Sequence, residues 1–461
     1  MIALSLSLSR IAQWTQGRLD GADLVVDAVA TDTRVLDPAD GRAVLFVALK
    51  GANFDGHAHL AQAAAGGARA ALVSADVAST LPQVRVADTE RALAALAAAL
   101  QRGRAGKVVG ITGSNGKTSV KQLVHGIAAR SMRAYANPGN RNNEIGLPLA
   151  VIDAPEDAAV SIYEMGAGKP GDIAYLTAIA RPDIALVNNV APAHLERMGS
   201  LLGIADTKAA IYDALPHDGV AVINADDAFA PYFAERAHGH RLLRFGLEAS
   251  ADVTARGIVA GAQSSRFVLD TPMGQAPVDL PLPGRHNVAN ALAAACIALA
   301  LDIGVEAIAE ALAVAEPVKG RLVRHRLAGG ATLIDDSYNA NPGSLNAAID
   351  TLAAGGGQSW LVLGDMRELG ADAVDLHAEA GRRARRAGVA RLYALGPLSA
   401  AAAEAFGEGG HHFDNHDALA ARLLADLNPD ARVLVKGSRG SAMDRIVDAL
   451  LARATGDYDA A

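Results

Sequence analysis

The chain has few cysteine and aromatic residues for its 461 positions. Its single cysteine, Cys296, excludes an internal disulfide, which favours a reducing compartment, and we expect the cytoplasm. Aromatic residues make up 4% of the chain, whereas hydrophobic residues make up 51%. Its cores must therefore consist of Ala, Leu, Val and Ile, a composition typical of helices packed on parallel β-sheets.

Long apolar segments and an excess of positive charge are also missing. The longest clean apolar segment, residues 291–301, is too short to span a bilayer. The serine-interrupted start at residues 1–9 has no basic region and is followed by no cleavage site, so it does not indicate a signal peptide. A formal charge of −8 argues against nucleic acid as the main ligand. We expect a soluble, unexported monomer that acts on small molecules, without membrane insertion and without a nucleic-acid partner.

Lysine is scarce, since arginine fills most basic positions. A lysine that persists in such a chain suggests a need for a compact ammonium or for an amine that can lose its proton. Lys208 lies in a predicted helix, where a salt-bridged surface side chain is the default interpretation. Four lysines fall in notable local patterns: Lys117, Lys208, Lys319 and Lys436. Two others, Lys107 and Lys121, are expected to be ordinary surface charges.

The most informative motif is Thr-Gly-Ser-Asn-Gly-Lys-Thr at residues 112–118. Residues 108–111 predict a buried strand before it, and residues 119–130 predict a helix after it. Such a turn points backbone N–H groups and a helix dipole at one spot, which suits a phosphate chain. Lys117 would add charge at the β- and γ-phosphates, and the Thr118 hydroxyl would be a ligand for Mg²⁺. The standard P-loop has one more glycine, which is an isoleucine here. The predicted ATP-binding residues are Gly113, Ser114, Asn115, Gly116, Lys117, Thr118 and Ser119.

The alternation of predicted strands and helices favours parallel βαβ winding. A glycine-rich linker after residue 102 and Pro317 mark two boundaries. The fold class is therefore α/β with three domains: a small N-terminal α/β substrate domain at 1–103, a central P-loop-type parallel α/β ATPase domain at 104–317 and a C-terminal Rossmann-like α/β domain at 318–461. Residues 251–281 predict an antiparallel flap or edge. The predicted strands are 44–49, 70–74, 158–165, 183–189, 220–224, 332–336, 360–364, 391–395 and 432–436, and further helices are predicted at 89–101 (capped by Thr89), 287–301 and 305–315.

Two polar side chains lie at or just after the carboxyl ends of neighbouring predicted strands. Glu164 lies at the carboxyl end of its strand, where parallel sheets bind ligands, and can hold Mg²⁺ there. His194 follows the next strand and reaches the same edge of the sheet. Residues 166–171 also match the G-x-G-x-x-G pattern of dinucleotide sites. The following strand ends in Asn188 and Asn189 rather than in the acid that would bind a ribose, which argues against an oxidoreductase.

Three further polar segments are candidates for binding. Asn287 and Asn290 are three residues apart on a predicted helix, so both amides face one side and can contact a base edge; capping by Asn287 is the alternative. Residues 335–342, Asp-Asp-Ser-Tyr-Asn-Ala-Asn-Pro, carry more hydrogen-bonding side chains than a turn requires. Residues 436–440, Lys-Gly-Ser-Arg-Gly, predict a cationic pocket suited to a carboxylate.

Taken in order, these motifs resemble the Mur ligases over essentially the full chain. Any one motif is weak, but the ordered set is highly specific. One departure is Arg141, where the family usually has an apolar or aromatic residue. The matching segments are 31–34, 46–51, 55–57, 112–118, 139–143, 164–166, His194, Lys208, 284–290, 320–321, 335–342, 363–370 and 436–440.

The resemblance implies an ATP-dependent ligase that extends UDP-N-acetylmuramoyl-tripeptide with D-alanyl-D-alanine through an acyl phosphate, in peptidoglycan precursor synthesis. It implies that Thr118, Glu164, His194 and a Lys208 carbamate formed with CO₂ hold two Mg²⁺ ions. Lys117, Lys208, Glu164 and His194 would be the catalytic set. The resemblance also implies which residues contact each ligand. ATP would contact Asn287, Asn290, Arg321 and Asp336, and the uridine diphosphate would contact Thr33, Arg34, Lys50 and Gly51. The sugar-peptide would contact Asn142 and Asn143, and the dipeptide would contact Tyr338, Asn339, Lys436 and Ser438.

Several alternatives stay open at this point. A sister Mur ligase would add a single amino acid, although the diaminopimelate-reading Asp-Asn-Pro-Arg run is absent here. A P-loop kinase or ATPase would form no amide, and a dinucleotide-dependent oxidoreductase would bind NAD(P)H. Folylpolyglutamate synthases share the ATP loop but would not be expected to show the N-terminal segment.

Overall fold

The structure is a computed structural model that describes residues 5–192, 195–261, 263–355 and 357–456. His194 lies outside the described residues. Three α/β units follow one another along the chain, and the predicted α/β class with three domains is confirmed. No described helix is long and apolar enough to cross a bilayer.

The first unit has a five-stranded sheet in the order β2-β7-β6-β5-β4, with β2 antiparallel to its neighbour. Its helix was predicted to be capped by Thr89, which is wrong. The Asp88 carboxylate accepts from the backbone N–H groups of Glu90 and Arg91, whereas the Thr89 hydroxyl donates to the carbonyl of Ala48 in the interior. The elements are β1 (Leu6–Ser7), α1 (Leu8–Trp14), β2 (Arg18–Asp20), β3 (Val25–Val26), β4 (Ala28–Ala30), β5 (Val44–Val47), α2 (Leu60–Ala65), β6 (Ala68–Val73), β7 (Gln83–Arg85) and α3 (Thr89–Arg102).

The central unit is built on a parallel six-stranded sheet in the order β13-β12-β11-β8-β10-β9. The chain leaves β8 toward one edge and later returns past it toward the other, so β8 ends at the switch point where such sheets bind ligands. The elements are β8 (Lys107–Thr112), α4 (Lys117–Ala128), β9 (Ala134–Ala136), α5 (Gly146–Asp153), β10 (Val160–Glu164), α6 (Asp172–Ala180), β11 (Ile184–Val187), α7 (Leu195–Met198), α8 (Leu201–Asp213), β12 (Val220–Asn224), α9 (Ala230–Arg236), β13 (Arg241–Phe245), β14 (Thr254–Ala260), β15 (Ser265–Thr271), β16 (Gly274–Leu280), α10 (Arg285–Ala300) and α11 (Val305–Leu312).

Helix α10 is buried on nearly all sides. The segment predicted as an antiparallel flap forms the separate antiparallel sheet β14-β15-β16, and its apolar side chains share one core with α4, α10 and the parallel sheet. Alanine-rich sequence suits this position, because small side chains let a helix approach packed neighbours on several faces. Cys296 lies in the middle of α10 and is fully buried.

The C-terminal unit has a six-stranded sheet in the order β17-β18-β22-β19-β20-β21, parallel except for β17. Helices α12, α13 and α14 cover one face and α15 and α16 the other, so the sheet has an apolar core on both sides, as in Rossmann-like folds. The elements are β17 (Val323–Arg326), β18 (Thr332–Asp336), α12 (Pro342–Ala353), β19 (Gln358–Gly364), α13 (Ala373–Arg386), β20 (Arg391–Leu395), α14 (Ala400–Phe406), β21 (Gly410–Phe413), α15 (His416–Asp426), β22 (Ala431–Lys436) and α16 (Asp444–Gly456).

Candidate active site

The phosphate loop connects β8 to α4. Gly116 is the N-cap of α4 with φ 79°, and a Cβ atom there would lie 2.4 Å from both Asn188 Nδ2 and Asn290 Oδ1. Helix α4 begins at Lys117, two residues before the predicted start, so Lys117 and Thr118 occupy its first turn. Their backbone N–H groups therefore belong to the unpaired donors of a helix N terminus, which favour an anion.

Lys117 lies against the loop itself. Its Nζ donates to the carbonyl oxygens of Gly113 at 2.7 Å and Ser114 at 3.4 Å. Burial lowers the pKa of this amine, and the nearby Glu164 carboxylate opposes that shift. The ammonium is thus held at the centre of the loop, where a phosphate would bind.

Two asparagines after β11 support the loop. Asn188 Nδ2 donates to the Asn115 carbonyl at 3.0 Å and to Asn290 Oδ1 at 3.1 Å. Asn189 Oδ1 accepts from the Asn115 backbone N–H at 2.8 Å. In the sequence these residues indicated only the absence of an acid; in the fold they fix the conformation of the phosphate loop.

Glu164, at the end of β10, is 3% exposed. Its Oε1 accepts from Asn142 Nδ2 at 2.8 Å, whereas Oε2 is buried and has no hydrogen-bond partner among the described residues. Burial raises the pKa of this carboxyl, but the ammonium groups of Lys117 and Lys121 outweigh it and the net shift is downward. A buried, ionised oxygen with an open lone pair fits a divalent cation.

Lys208 was predicted by default to be a salt-bridged surface residue, and that is wrong. It lies on α8, is 3% exposed, and makes no hydrogen bond or ion pair with another described residue. Burial, with a smaller contribution from the charge on Lys117, lowers the pKa of its amine to about 7. A large neutral fraction near pH 7 gives this amine a nucleophilic lone pair.

The C-terminal unit reaches the phosphate loop through two side chains. Arg321 Nη2 donates to Thr118 Oγ1 at 3.2 Å, and its guanidinium stacks 4.6 Å from the centroid of the Tyr338 ring. Asn341 Nδ2 donates to Asn115 Oδ1 at 2.7 Å. These contacts bring residues from either side of the domain boundary predicted at Pro317 onto one loop.

A buried ion pair lies beside that contact. Lys436 Nζ is 2.6 Å from Asp336 Oδ2 and donates to the Asn339 carbonyl at 3.0 Å. Ser438 Oγ donates to the Ala340 carbonyl at 3.2 Å and accepts from the backbone N–H of Arg367 at 2.9 Å. Lys436 and Ser438 thus fix the conformation of the segment that follows β18.

Two cavities meet at the phosphate loop. One, of about 750 Å³, is lined by Ser119, Asn287 and Asn290 together with Asp336. The other, of about 360 Å³, is lined by residues that include Lys117, Glu164 and Lys208, and by Asn142, Asn143, Tyr338 and Asn339. The residues that line both are Asn115, Gly116, Arg321, Ser344 and Lys436. A nucleotide-sized cleft therefore opens directly onto a second, more polar space.

The predicted uridine-diphosphate residues lie outside both cavities. Arg34 pairs with Asp32 at 2.6 Å and Lys50 lies 3.9 Å from Asp55, all with largely exposed side chains. Thr33 lies in the same short 3-10 helix as Arg34, and Gly51 donates its backbone N–H to the Phe54 carbonyl. Their role stays a prediction.

Besides the roles of Asn188 and Asn189, sequence reasoning missed three further residues of the site. Lys121 was expected on the surface, which is wrong, because its side chain is fully buried beside Glu164. His286 lines the larger cavity, and burial lowers its pKa to about 4. Asn341 caps α12 as well as contacting Asn115. The alternative interpretation of Asn287 as a helix cap is wrong, since α10 begins at Arg285 and Asn287 Nδ2 donates back to the Pro283 carbonyl.

One side chain of the site, the carboxylate of Glu164, fits a bound metal ion. The described chain contains no group of three or more His, Cys, Asp or Glu side chains that could hold a metal ion. Glu164 Oε2 nevertheless offers a buried carboxylate oxygen without a hydrogen-bond partner among the described residues, and Glu164 lines the same cavity as Lys208. A metal ion here would need the hydroxyl of Thr118, a modified Lys208 or a ligand phosphate to complete its coordination.

Comparison with known proteins agrees with this arrangement. The Mur ligase middle domain matches residues 111–298, and the Mur ligase, glutamate ligase domain matches residues 320–439. The UDP-N-acetylmuramoyl-tripeptide–D-alanyl-D-alanine ligase of Escherichia coli (strain K12) is 42% identical over 450 residues, which cover 97% of this chain and 98% of that protein. The fold is shared with a crystal structure of MurF from Acinetobacter baumannii, with a TM-score of 0.92 and 32% identity over 98% of this chain and 100% of that one. It is also shared with a crystal structure of MurF ligase from Thermotoga maritima in complex with ADP, with a TM-score of 0.82 and 27% identity over 93% of this chain and 97% of that one. The chain belongs to the Mur ligase family.

Proposed function

We propose that this ATP-dependent ligase joins D-alanyl-D-alanine to UDP-N-acetylmuramoyl-tripeptide in peptidoglycan precursor synthesis. The relatives at 32–42% identity over nearly the whole chain carry that activity in their names. The observation on which the proposal rests is the junction of the two cavities at Asn115, Gly116 and Arg321, which places a phosphate loop beside a space for a second substrate.

The chemistry needs charge and alignment rather than a nucleophilic side chain. An oxygen of the tripeptide's terminal carboxylate attacks the γ-phosphorus of ATP, and ADP leaves. The dipeptide's amine then attacks the carbonyl carbon of the acyl phosphate; inorganic phosphate departs with that oxygen, and the nitrogen loses a proton. Lys117 and Arg321 would offset the negative charge that builds on the transferred group, and Asn188 and Asn189 hold the loop that positions it.

We further propose the ligands of two Mg²⁺ ions: Thr118, Glu164, a carbamate formed from CO₂ on Lys208, and His194, which lies outside the described residues. Bound Mg²⁺ would neutralise the phosphate oxygens during transfer. The lowered pKa of Lys208 supports the carbamate, because only the neutral amine reacts with CO₂.

The remaining contacts are proposed by resemblance. Asn287, Asn290, Arg321 and Asp336 would bind ATP with the phosphate-loop residues. Asn142 and Asn143 would contact the sugar-peptide. Thr33, Arg34, Lys50 and Gly51 would bind the uridine diphosphate, and Tyr338, Asn339, Lys436 and Ser438 the dipeptide. We also propose the domain limits 1–103, 104–317 and 318–461, closure of the C-terminal domain on binding, and a cytoplasmic monomer.

The decisive experiment is a coupled assay of phosphate release with the purified chain. We expect release from ATP only when UDP-N-acetylmuramoyl-tripeptide and D-alanyl-D-alanine are both present, with one amide formed per phosphate. Release with a single amino acid in place of the dipeptide would indicate a sister ligase. Release with one substrate alone would indicate a kinase or ATPase, and NAD(P)H binding would favour the oxidoreductase.

A further inference from the structure

Lys121 is a buried lysine that the proposed chemistry does not use. It lies on α4 one turn after Lys117, and its side chain is 0% exposed. It lines neither cavity, so it does not touch the substrates. Burying an ammonium is unfavourable unless its protons are paired, so a lysine in this position needs specific partners.

The ammonium of Lys121 has three oxygen neighbours. Its Nζ donates to the carbonyl oxygen of Asn137 at 2.9 Å and to that of Gly139 at 3.2 Å. The third neighbour is Glu164 Oε2 at 3.5 Å, an ion pair that is longer than the two hydrogen bonds. An ammonium has three protons, and here each faces an oxygen.

These partners belong to different parts of the site. Asn137 begins the segment that carries Asn142, and its own amide brackets Glu164: Asn137 Oδ1 accepts from the Glu164 backbone N–H at 2.9 Å, and Asn137 Nδ2 donates to the Glu164 carbonyl at 3.2 Å. Asn142 in turn holds Glu164 Oε1. One ammonium therefore joins the phosphate-loop helix, the buried carboxylate and the segment at 137–143.

We propose that Lys121 is a positioning residue that fixes the 137–143 segment and the Glu164 carboxylate relative to the phosphate-loop helix, so that the sugar-peptide and the γ-phosphate are aligned. The inference rests on the proposed function, because it takes Asn142 and Asn143 as contacts of the UDP-tripeptide. The structural part of the inference does not depend on that function: a side chain from the nucleotide-binding helix holds the 137–143 segment in position.

The test compares K121M, which keeps the length of the side chain and removes its charge, with K107M as a matched control. Lys107 is a surface lysine that pairs with Asp183 at 3.7 Å. Calorimetry in EDTA, without ATP, measures binding of UDP-N-acetylmuramoyl-tripeptide, and the coupled assay measures kcat and the KM for each substrate. We expect K121M to bind the tripeptide about 10-fold more weakly and to lose about 100-fold in kcat. K107M should match the wild type, and K121R, which keeps the charge, should recover part of the loss.

A folded K121M with tripeptide affinity and kcat within about threefold of wild type would overturn the proposal, even if its melting temperature falls. If K121M does not fold, the double variant K121M/E164Q, which removes the buried ammonium together with its carboxylate neighbour, is compared with E164Q. The double variant should bind the tripeptide about 10-fold more weakly than E164Q, and equal binding would refute the coupling. Absence of phosphate release from the wild type with ATP, UDP-N-acetylmuramoyl-tripeptide and D-alanyl-D-alanine would instead refute the proposed function.

Discussion

Asn341 of the C-terminal unit donates its side-chain amide to Asn115 of the phosphate loop at 2.7 Å, although the two residues are 226 positions apart. The same Asn341 side chain accepts from the Ser344 backbone N–H and so caps α12, with the Ser344 hydroxyl completing a capping box. A helix terminus of one unit is thereby tied to the nucleotide loop of another.

Replacing Asn341 with alanine should therefore have two effects. The lost cap should destabilise the C-terminal unit by about 1 kcal/mol. The lost contact with Asn115 should raise the KM for ATP several-fold, because the loop loses a hydrogen bond from the C-terminal unit. Thermal melts and initial rates at varied ATP measure the two effects.

Asn415 offers the matched control, because it caps α15 in the same unit through its side chain. N415A should lower the melting temperature to a similar extent and leave the KM for ATP unchanged. Equal kinetics in N341A and N415A would show that the contact between the units does not contribute to nucleotide binding.

Gly116 and Gly171 give a second comparison. Both are helix N-caps in the left-handed region, with φ 79° and 88°. G171A adds a Cβ into open space, so it should cost only the backbone strain, about 1 kcal/mol. G116A places its Cβ 2.4 Å from Asn188 and Asn290, so it should also abolish binding of a fluorescent ATP analogue. Retained binding in G116A would contradict the loop geometry.

The proposed carbamylation of Lys208 should depend on pH. Since the pKa of its amine is lowered to about 7, the neutral fraction that reacts with CO₂ rises as pH increases through 7. ¹³C NMR of protein incubated with ¹³C-bicarbonate should show a carbamate signal that is stronger at pH 8.5 than at pH 6 and missing in K208M. Activity of K208A should be rescued in part by a short carboxylate. An unchanged rate in K208A would exclude a role for the carbamate.

Lys208 should reduce the free energy of unfolding at neutral pH. Its amine has an ordinary pKa of 10.5 and a folded-state pKa of about 7, so between these values the unfolded chain holds a proton that the folded chain has lost. Raising the pH through this window therefore favours the folded state. In CO₂-depleted buffer the wild type should gain about 2 kcal/mol relative to K208M between pH 7 and pH 9. Unfolding curves of both proteins at the two pH values measure this difference, and a constant difference would contradict the lowered pKa.

Much of the site could be predicted from the sequence, because its residues lie at the carboxyl ends of parallel strands. Sequence alone places the phosphate loop after β8 and Glu164 at the end of β10, because apolar strands and the polar residues that follow them are contiguous in the chain. The role of Lys121 could not be predicted, since its carbonyl partners come from a loop after β9 and its burial depends on packing between elements. A lysine one helical turn after Lys117, in a chain with so few lysines, was the available signal.

The contact between Asn188 and Asn290 shows a second limit of prediction from the sequence. Asn188 lies near the end of a predicted strand and Asn290 in the first turn of a predicted helix, but their hydrogen bond joins positions 102 residues apart and exists only because α10 packs beside the phosphate loop. The start of α4 was also displaced, because a glycine in the left-handed region can cap a helix without any side-chain signal.

The enclosure of Cys296 within α10 gives the chain an internal reporter. A thiol-reactive dye can reach this sulfur only when the helix separates from its neighbours, so the labelling rate measures opening of the nucleotide-binding unit rather than surface reactivity. Because Asn287 and Asn290 lie on the same helix, ligands that bind them should slow labelling in proportion to how firmly they close that unit.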